Sequence, residues 1–138
     1  MGEYFQWYYN DYILSGNYKN FQFIHNFYNY GVIYRSPFLD LFKSTTEMLG
    51  VKKLQRIKAN LNPRTLFKRK TGYHNDFANM TTAVFYINSN NGGTKFANGK
   101  FVRSKENRVV IFDSNLKHTG ITCTDQKRRI VVNFNFIK

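Results

Sequence analysis

The sequence predicts a mainly β protein, a jelly roll with one N-terminal helix packed outside. Three observations carry this. From Val51 onward apolar and polar residues alternate with a period of two, turn signals recur about every eight to twelve residues, and the only stretch with helical spacing lies before Val51. The 138 residues suit a single core, since such cores commonly take about 100 to 150 residues. Residues 1–138 therefore read as one domain, with an aromatic N-terminal part over 1–50 and a jelly-roll core over 51–138.

Residues 1 to about 33 carry Tyr4, Trp7, Tyr8, Tyr9, Phe21, Phe23, Phe27 and Tyr28, broken by Asn and Gly. They read as two short strands joined by turns. Ser36-Pro37 opens PFLDLFKSTTEMLG, where Phe38, Leu41, Phe42, Met48 and Leu49 recur near helical spacing and Gly50 can end the helix. Strands are then expected at Lys53–Leu61, stopped near Asn62-Pro63, at Lys70–Asp76, and at Thr81–Asn88, ended by SNNGG. Thr94–Phe96 and Lys100–Arg103 flank Asn98-Gly99, a hairpin signal for a type I′ turn with two positive φ angles. Arg108–Phe112, His118–Cys123 and Arg128–Ile137 complete the set, which is the strand number of a jelly roll.

Composition bounds the function. The hydrophobic fraction of 42% and aromatic fraction of 18% supply a core, so the +13 charge does not imply disorder. The single cysteine, Cys123, excludes an intramolecular disulfide framework and an all-thiolate zinc cluster, and suits a reducing compartment. No apolar run approaches the roughly 18 residues that span a bilayer, and the start MGEYFQWYYND has neither a basic nor a continuous apolar leader region. A soluble, cytoplasmic protein without a membrane partner is expected. The balance of 21 Lys+Arg against 8 Asp+Glu favours acidic partners, and Lys52, Lys53, Arg56, Lys58, Arg64, Lys68, Arg69, Lys70, Lys127 and Arg128 with nearby aromatics are compatible with a nucleic-acid groove. The charge is also what a composition rich in the A/T-codon residues Asn, Ile, Phe, Tyr and Lys would produce, and net charge speaks to solubility rather than chemistry.

Within TGYHNDF, His74 and Asp76 stand two apart on an expected strand, so both side chains leave one face and can reach one ion. A plain hydrogen-bonded pair has the same spacing. His118, at the start of a late strand, is placed by a closing jelly roll over the earlier one. Two imidazoles and one carboxylate form the set that non-haem iron(II) oxygenases use, with three adjacent positions left open. A dicarboxylic keto acid chelating such an ion needs a cation at its far end. On the last strand Arg129 shares a face with Val131, Asn133 and Asn135, whereas Arg128 shares the apolar face of Ile130, Val132, Phe134 and Phe136. Alternation favours Arg129 for the pocket, where its planar fork suits a carboxylate, and a β-bulge would exchange the two. On Thr81–Asn88 the same parity groups Tyr86 with Thr82, Val84 and Asn88, so its phenol either reaches the pocket or is satisfied in the core.

Taken together, His74-x-Asp76, TTAVFYIN, NGGTKF, His118 and the Arg129 strand resemble the 2-oxoglutarate- and iron(II)-dependent dioxygenases, in particular the prolyl 4-hydroxylase-like branch. RIKANLNPRT and the ending RRIVVNFNF look most like small members encoded by bacteriophages. The resemblance spans about Arg56 to Phe136, and its most specific part is the triad with a basic residue ten or eleven positions past His118. It implies a double-stranded β-helix, iron(II) held by His74, Asp76 and His118, and the distal carboxylate of the cosubstrate 2-oxoglutarate held by Arg129 and Tyr86. It also implies dioxygen as oxidant, ascorbate as an optional reductant, and hydroxylation of a prolyl or other residue of a protein or peptide with release of succinate and carbon dioxide. Two departures weaken the substrate inference: prolyl 4-hydroxylases proper usually carry lysine at the cosubstrate position, and the long insertions of their peptide groove are missing. A nucleic-acid-directed oxygenase, or a non-enzymatic jelly-roll binding module with a vestigial metal site, are the rival expectations.

Overall fold

The computed structural model describes residues 5–14, 20–32 and 34–138. Two antiparallel sheets face one another. The larger runs β1 (Tyr8–Asn10), β2 (Gln22–Asn29), β4 (Lys53–Pro63), β10 (Arg128–Ile137), β5 (Thr81–Tyr86), β8 (Arg108–Asp113), with β3 (Tyr34–Arg35) also paired to β2. The smaller runs β7 (Phe101–Arg103), β6 (Gly93–Phe96), β9 (His118–Ile121). The turn expected between the first two strands falls at 15–19, outside the described residues.

The longest strands, β4 and β10, pair along their whole length, from Arg128 opposite Pro63 to Ile137 opposite Lys53. Alternation gives β10 two different faces. Val132, Phe134 and Phe136, all fully buried, join Ile57, Ala59 and Ala83 in an apolar cluster on the outer face of the large sheet. The aromatic N-terminal part covers that face: Phe42 packs edge-on between Phe27 at 4.7 Å and Phe134 at 5.4 Å, with Phe5, Trp7 and Phe38 around them. Each such ring removes on the order of 2 kcal/mol of apolar surface from water. His25 belongs to this layer, with Nδ1 on Gln6 O at 2.7 Å, Nε2 on Ser36 Oγ at 2.9 Å and its ring stacked on Phe5. It is a core histidine.

Three expectations need correction. The single helix over Pro37–Leu49 is instead a 3₁₀ turn, Leu39–Phe42, followed by the six-residue helix α1, Lys43–Met48. A 3₁₀ turn has three residues per turn, so it rotates the apolar stripe out of register. Phe42 and Leu49 reach the core, while Leu41 and Met48 are left 68% and 89% exposed. Gly50 does end the helix: at φ 69° it lets its own N–H bond Glu47 O and that of Val51 bond Thr46 O, a Schellman pair.

The strand expected over Lys70–Asp76 is reduced to two isolated bridges, Lys70 to Ile121 and His74 to His118. Gly72 interrupts it at φ 118°, a conformation that glycine alone adopts without strain. The Asn98-Gly99 turn also differs. Only Gly99 has positive φ, and the bonds Gly99 N to Phe96 O and Phe96 N to Lys100 O describe a three-residue loop with a glycine bulge rather than a type I′ turn.

Within the small sheet, Gly93 lies against β7, and a Cβ there would press into the Val102 carbonyl oxygen and the Phe101 ring. Backbone cannot yield as a flexible side chain can. Gly93→Ala is expected to lower the unfolding free energy by about 3 kcal/mol in urea titrations, from overpacking.

Candidate metal centre

The inner faces of the sheets enclose a cavity of about 380 Å³. Its floor comes from alternate residues of β4 (Arg56, Lys58, Asn60, Asn62), β10 (Arg129, Val131, Asn133) and β5 (Val84); its opposite wall includes Thr71, Thr94 and Gly120, and Ile13, Leu14, Gln22, Asn75 and Phe77 also line it. His74, Asp76 and His118 line the same cavity.

Their donor atoms lie within 4.8 Å of one another. His74 Nε2 stands 3.5 Å from Asp76 Oδ1 and His118 Nε2 3.8 Å from Asp76 Oδ2. Neighbouring donors each about 2.1 Å from a shared ion stand about 3 to 3.5 Å apart, so the set has spacings slightly wider than those of a metal site and could close on an ion. The backbone chooses the tautomers. His74 Nδ1 meets Gly72 O at 3.0 Å and His118 Nδ1 meets Leu116 O at 2.9 Å. A carbonyl only accepts, so each Nδ1 carries the proton and each imidazole turns its Nε2 inward, where its neutral form would offer a lone pair to an ion. The kink at Gly72 that broke the predicted strand thus supplies the acceptor that orients His74.

Asp76 is held from the other side. Its Oδ2 accepts from Thr82 Oγ1 at 3.0 Å and Asn135 Nδ2 at 3.1 Å, while Thr82 pairs with Ser114 at 2.7 Å. The loop carrying it is pinned by Asp76 N to Ser114 O and by Asn75 Nδ2 to Asn115 O. Burial alone would raise the Asp76 carboxyl, but the His74 hydrogen bond and the His118, Arg56 and His74 charges hold it well below the usual carboxylate range. It is an anion at neutral pH. Burial pulls His74 down and is outweighed by the bonds to Asp76 and Gly72 O, giving a net rise. At His118 burial wins and the shift is downward.

Of the two competing arginines, Arg129 lines the cavity and is 4% exposed, while Arg128 lies on the surface. The one register shift on β10 falls between Asn135 and Phe136, too far along to reverse the parity at Arg129. Its Nε donates to Ser104 Oγ at 3.3 Å and Nη1 to Asn62 Oδ1 at 3.2 Å, with no carboxylate in contact among the described residues. Burial pushes the guanidinium below its ordinary value. A buried cation without an acid partner is a costly arrangement that an anionic ligand would relieve.

Tyr86 stands further back than the expectation of a phenol in the pocket. It is fully buried and its hydroxyl donates to Thr94 Oγ1 at 2.8 Å; Thr94, not Tyr86, lines the cavity. Cys123 is buried away from the cavity, its thiol pushed up by burial.

Sequence reasoning counted Arg56 and Lys58 among the basic residues of a nucleic-acid groove and did not place them, with Asn60 and Asn62, in the cavity as the alternating polar set of β4. The parity test used on β10 would have grouped them. Burial first, then repulsion from Arg56, lowers the Lys58 ammonium from 10.5 to about 8, against attraction from Asp76. The unfolded chain thus binds the extra proton between about pH 8 and 10.5, and the native state is penalised below pH 8. Lys58→Met is expected to raise the unfolding free energy by about 1 to 3 kcal/mol at pH 7. Urea titrations should show the gain vanish by pH 10.5.

No family model matches the chain, and no curated protein does. Among solved structures, a Pseudomonas putida prolyl-4-hydroxylase superposes with TM-score 0.62 at 16% identity, over 86% of this chain and 70% of that one. A predicted oxalate decarboxylase from Thermotoga maritima gives 0.57 at 15% identity, over 87% and 84%. KdgF from Halomonas sp. gives 0.53 at 7%, over 97% and 88%. At these identities the likeness is one of fold, and the fold hosts several activities. The chain has a mainly β fold of two facing sheets, similar to that of these proteins, and its cavity holds a His-Asp-His cluster that could take a metal ion.

Proposed function

We propose that the chain is a 2-oxoglutarate- and iron(II)-dependent dioxygenase that hydroxylates a prolyl or other residue of a protein or peptide. One observation carries this. Two imidazoles with Nε2 turned inward, an ionised carboxylate and a buried, unpaired arginine open onto one cavity. Two neutral imidazoles and one carboxylate suit iron(II), and three protein donors would leave positions for a chelating cosubstrate and dioxygen. The prolyl-4-hydroxylase likeness in fold agrees with the broader dioxygenase resemblance seen in the sequence.

Iron(II) supplies the coupling of dioxygen reduction to decarboxylation of 2-oxoglutarate, yielding succinate and carbon dioxide, with ascorbate as an optional reductant. The protein does the rest. Arg129, fixed by Ser104 and Asn62, binds the distal carboxylate, and Tyr86 acts indirectly by fixing the Thr94 hydroxyl beside it. Val84 and Val131 keep that end of the cavity apolar.

Anaerobic addition of iron(II) and 2-oxoglutarate should raise the visible charge-transfer band of the chelate, and its absence under all conditions would favour a binding module with a vestigial site. Mass spectrometry of host proteins and nucleic acids, comparing the active chain with His74→Ala, should reveal the gain of one oxygen atom on the substrate.

A nucleic-acid substrate is the second reading, favoured by a groove of about 340 Å³ lined by Lys68, Arg69, Lys70, Lys95 and Phe101, with Lys70 Nζ 5.4 Å from the Tyr73 ring centre. Binding that falls steeply with salt would support it; indifference to DNA and RNA would remove it.

A further inference from the structure

We propose that the substrate presents a carboxylate, that of an acidic amino-acid side chain, to Arg56 and Lys58 in the cavity. This rests on the oxygenase reading and names the substrate class for it.

The charge balance is the first reason. Among the described lining residues, Arg56, Lys58 and Arg129 face a single carboxylate, Asp76. Asp76 is engaged by the two imidazoles, Thr82 and Asn135, and Arg129 serves the cosubstrate. Arg56 gives Nε to Asn135 Oδ1 at 3.1 Å and lies 4.9 Å from the Phe77 ring centre, which leaves both Nη groups without an acceptor among the described residues. Lys58 has no hydrogen bond or ion pair among them either. Two like charges on one strand face, half-buried and mutually repelling, cost free energy until an anion joins them.

Position is the second reason. Register puts Lys58 opposite Asn133 and Arg56 opposite Asn135, whereas Arg129 stands opposite Asn62 towards the other end of β4. Arg56 and Lys58 therefore stand apart from the end of the cavity assigned to the cosubstrate. Arg56 is joined to Asp76 through Asn135 alone, so an acid held there sits beside the metal ligands.

Size and surroundings select the class. A cavity of about 380 Å³ shared with a cosubstrate admits one residue-sized group. Asn60 Oδ1, next on the same face of β4, is buried with no partner and suits an amide N–H, which a peptide carries. Ile13, Leu14, Gln22, Asn75 and Phe77 bear no charge to grip a phosphate backbone. The basic groove lies elsewhere: Lys70 and Ile121 line it, while their chain neighbours Thr71 and Gly120 line the cavity, so alternation puts the two on opposite faces.

The test uses the full chain loaded with redox-silent zinc(II) and 2-oxoglutarate, titrated calorimetrically with N-acetyl-glutamic acid α-amide, its glutamine counterpart, and thymidine monophosphate. The glutamate probe should bind about tenfold tighter than the glutamine probe. Lys58→Met should abolish that preference while leaving 2-oxoglutarate affinity within about threefold, and Lys58→Arg, which keeps the charge if the first variant folds poorly, should retain it. Equal binding of the two peptides, tighter binding of the monophosphate, or a loss in Lys58→Met that falls on 2-oxoglutarate instead would each overturn the proposal. The two readings fail separately. Absence of zinc and 2-oxoglutarate binding would sink the oxygenase, whereas the glutamate preference can still be read in the metal-free protein and stands or falls there.

Discussion

Arg129→Met should abolish binding of 2-oxoglutarate and at the same time make the ligand-free protein more stable. The two signs follow from one environment. Arg129 is 4% exposed and, among the described residues, donates only to the neutral Ser104 and Asn62 oxygens and has no acid partner. Its charge is therefore desolvated without compensation in the empty cavity. Methionine fills the volume of the stem without the charge, and replacing buried ionic groups by apolar ones of similar size is often stabilising by about 1 to 4 kcal/mol. The lower end is expected here, because Asn62 Oδ1 loses its donor. Against a bound dicarboxylate the same guanidinium supplies charge-assisted bonds in a dry site, and truncating such a partner costs about 2 to 5 kcal/mol, roughly 30- to 5000-fold in affinity. Thermal unfolding with and without 2-oxoglutarate reads both: the variant should start higher and gain nothing from ligand that stabilises the parent. A variant that stays as ligand-responsive as the parent would move the cosubstrate anchor to Arg56 or Lys58.

His118→Ala should reduce metal affinity by about 100-fold or more and leave succinate formation undetectable, as losing one of three protein donors demands. The fold should survive. His118 is bonded through its backbone to His74 in both directions, and those bonds remain when the ring is removed. Equilibrium dialysis with iron(II) and circular dichroism on the same sample separate loss of the ion from loss of structure. Asn135→Ala is a milder companion: it removes one donor to Asp76 Oδ2 and the acceptor of Arg56 Nε, and should weaken metal binding by about 10-fold without ending it.

What was legible in the sequence is what local periodicity encodes. β4, β5, β8 and β10 alternate over six or more residues, so their existence and the face of Arg129 could be read directly. The His-x-Asp pair was visible as spacing, and its meeting with His118 followed from closing the roll. The rest depended on facts that are not local. A polar stripe such as Arg56, Lys58, Asn60, Asn62 looks like a solvent face until the small sheet is known to lie above it. Tyr86 had the right parity, but Thr94 on the opposing sheet intercepts its hydroxyl. The Lys70–Asp76 strand failed at Gly72, whose positive φ no period reveals. The helix failed because Leu39–Phe42 wound as 3₁₀, a choice made by burying Phe42 between Phe27 and Phe134.

β10 is a two-sided part, and that couples regions that share no contact. Phe134 and Phe136 are gripped by the aromatic layer, while of their immediate neighbours Asn133 lines the cavity and Asn135 bonds Asp76. Shaving a ring from the N-terminal layer, as in Phe42→Ala, loosens the strand from behind and should be felt as a weaker hold on the ion, although residue 42 lies on the far side of the sheet. For the same reason the segment that alternation marks off as the roll, 51–138, is no transplantable cassette. Its outer face is apolar, and the half that carries the His-Asp-His cluster is only as rigid as the aromatic half that backs it.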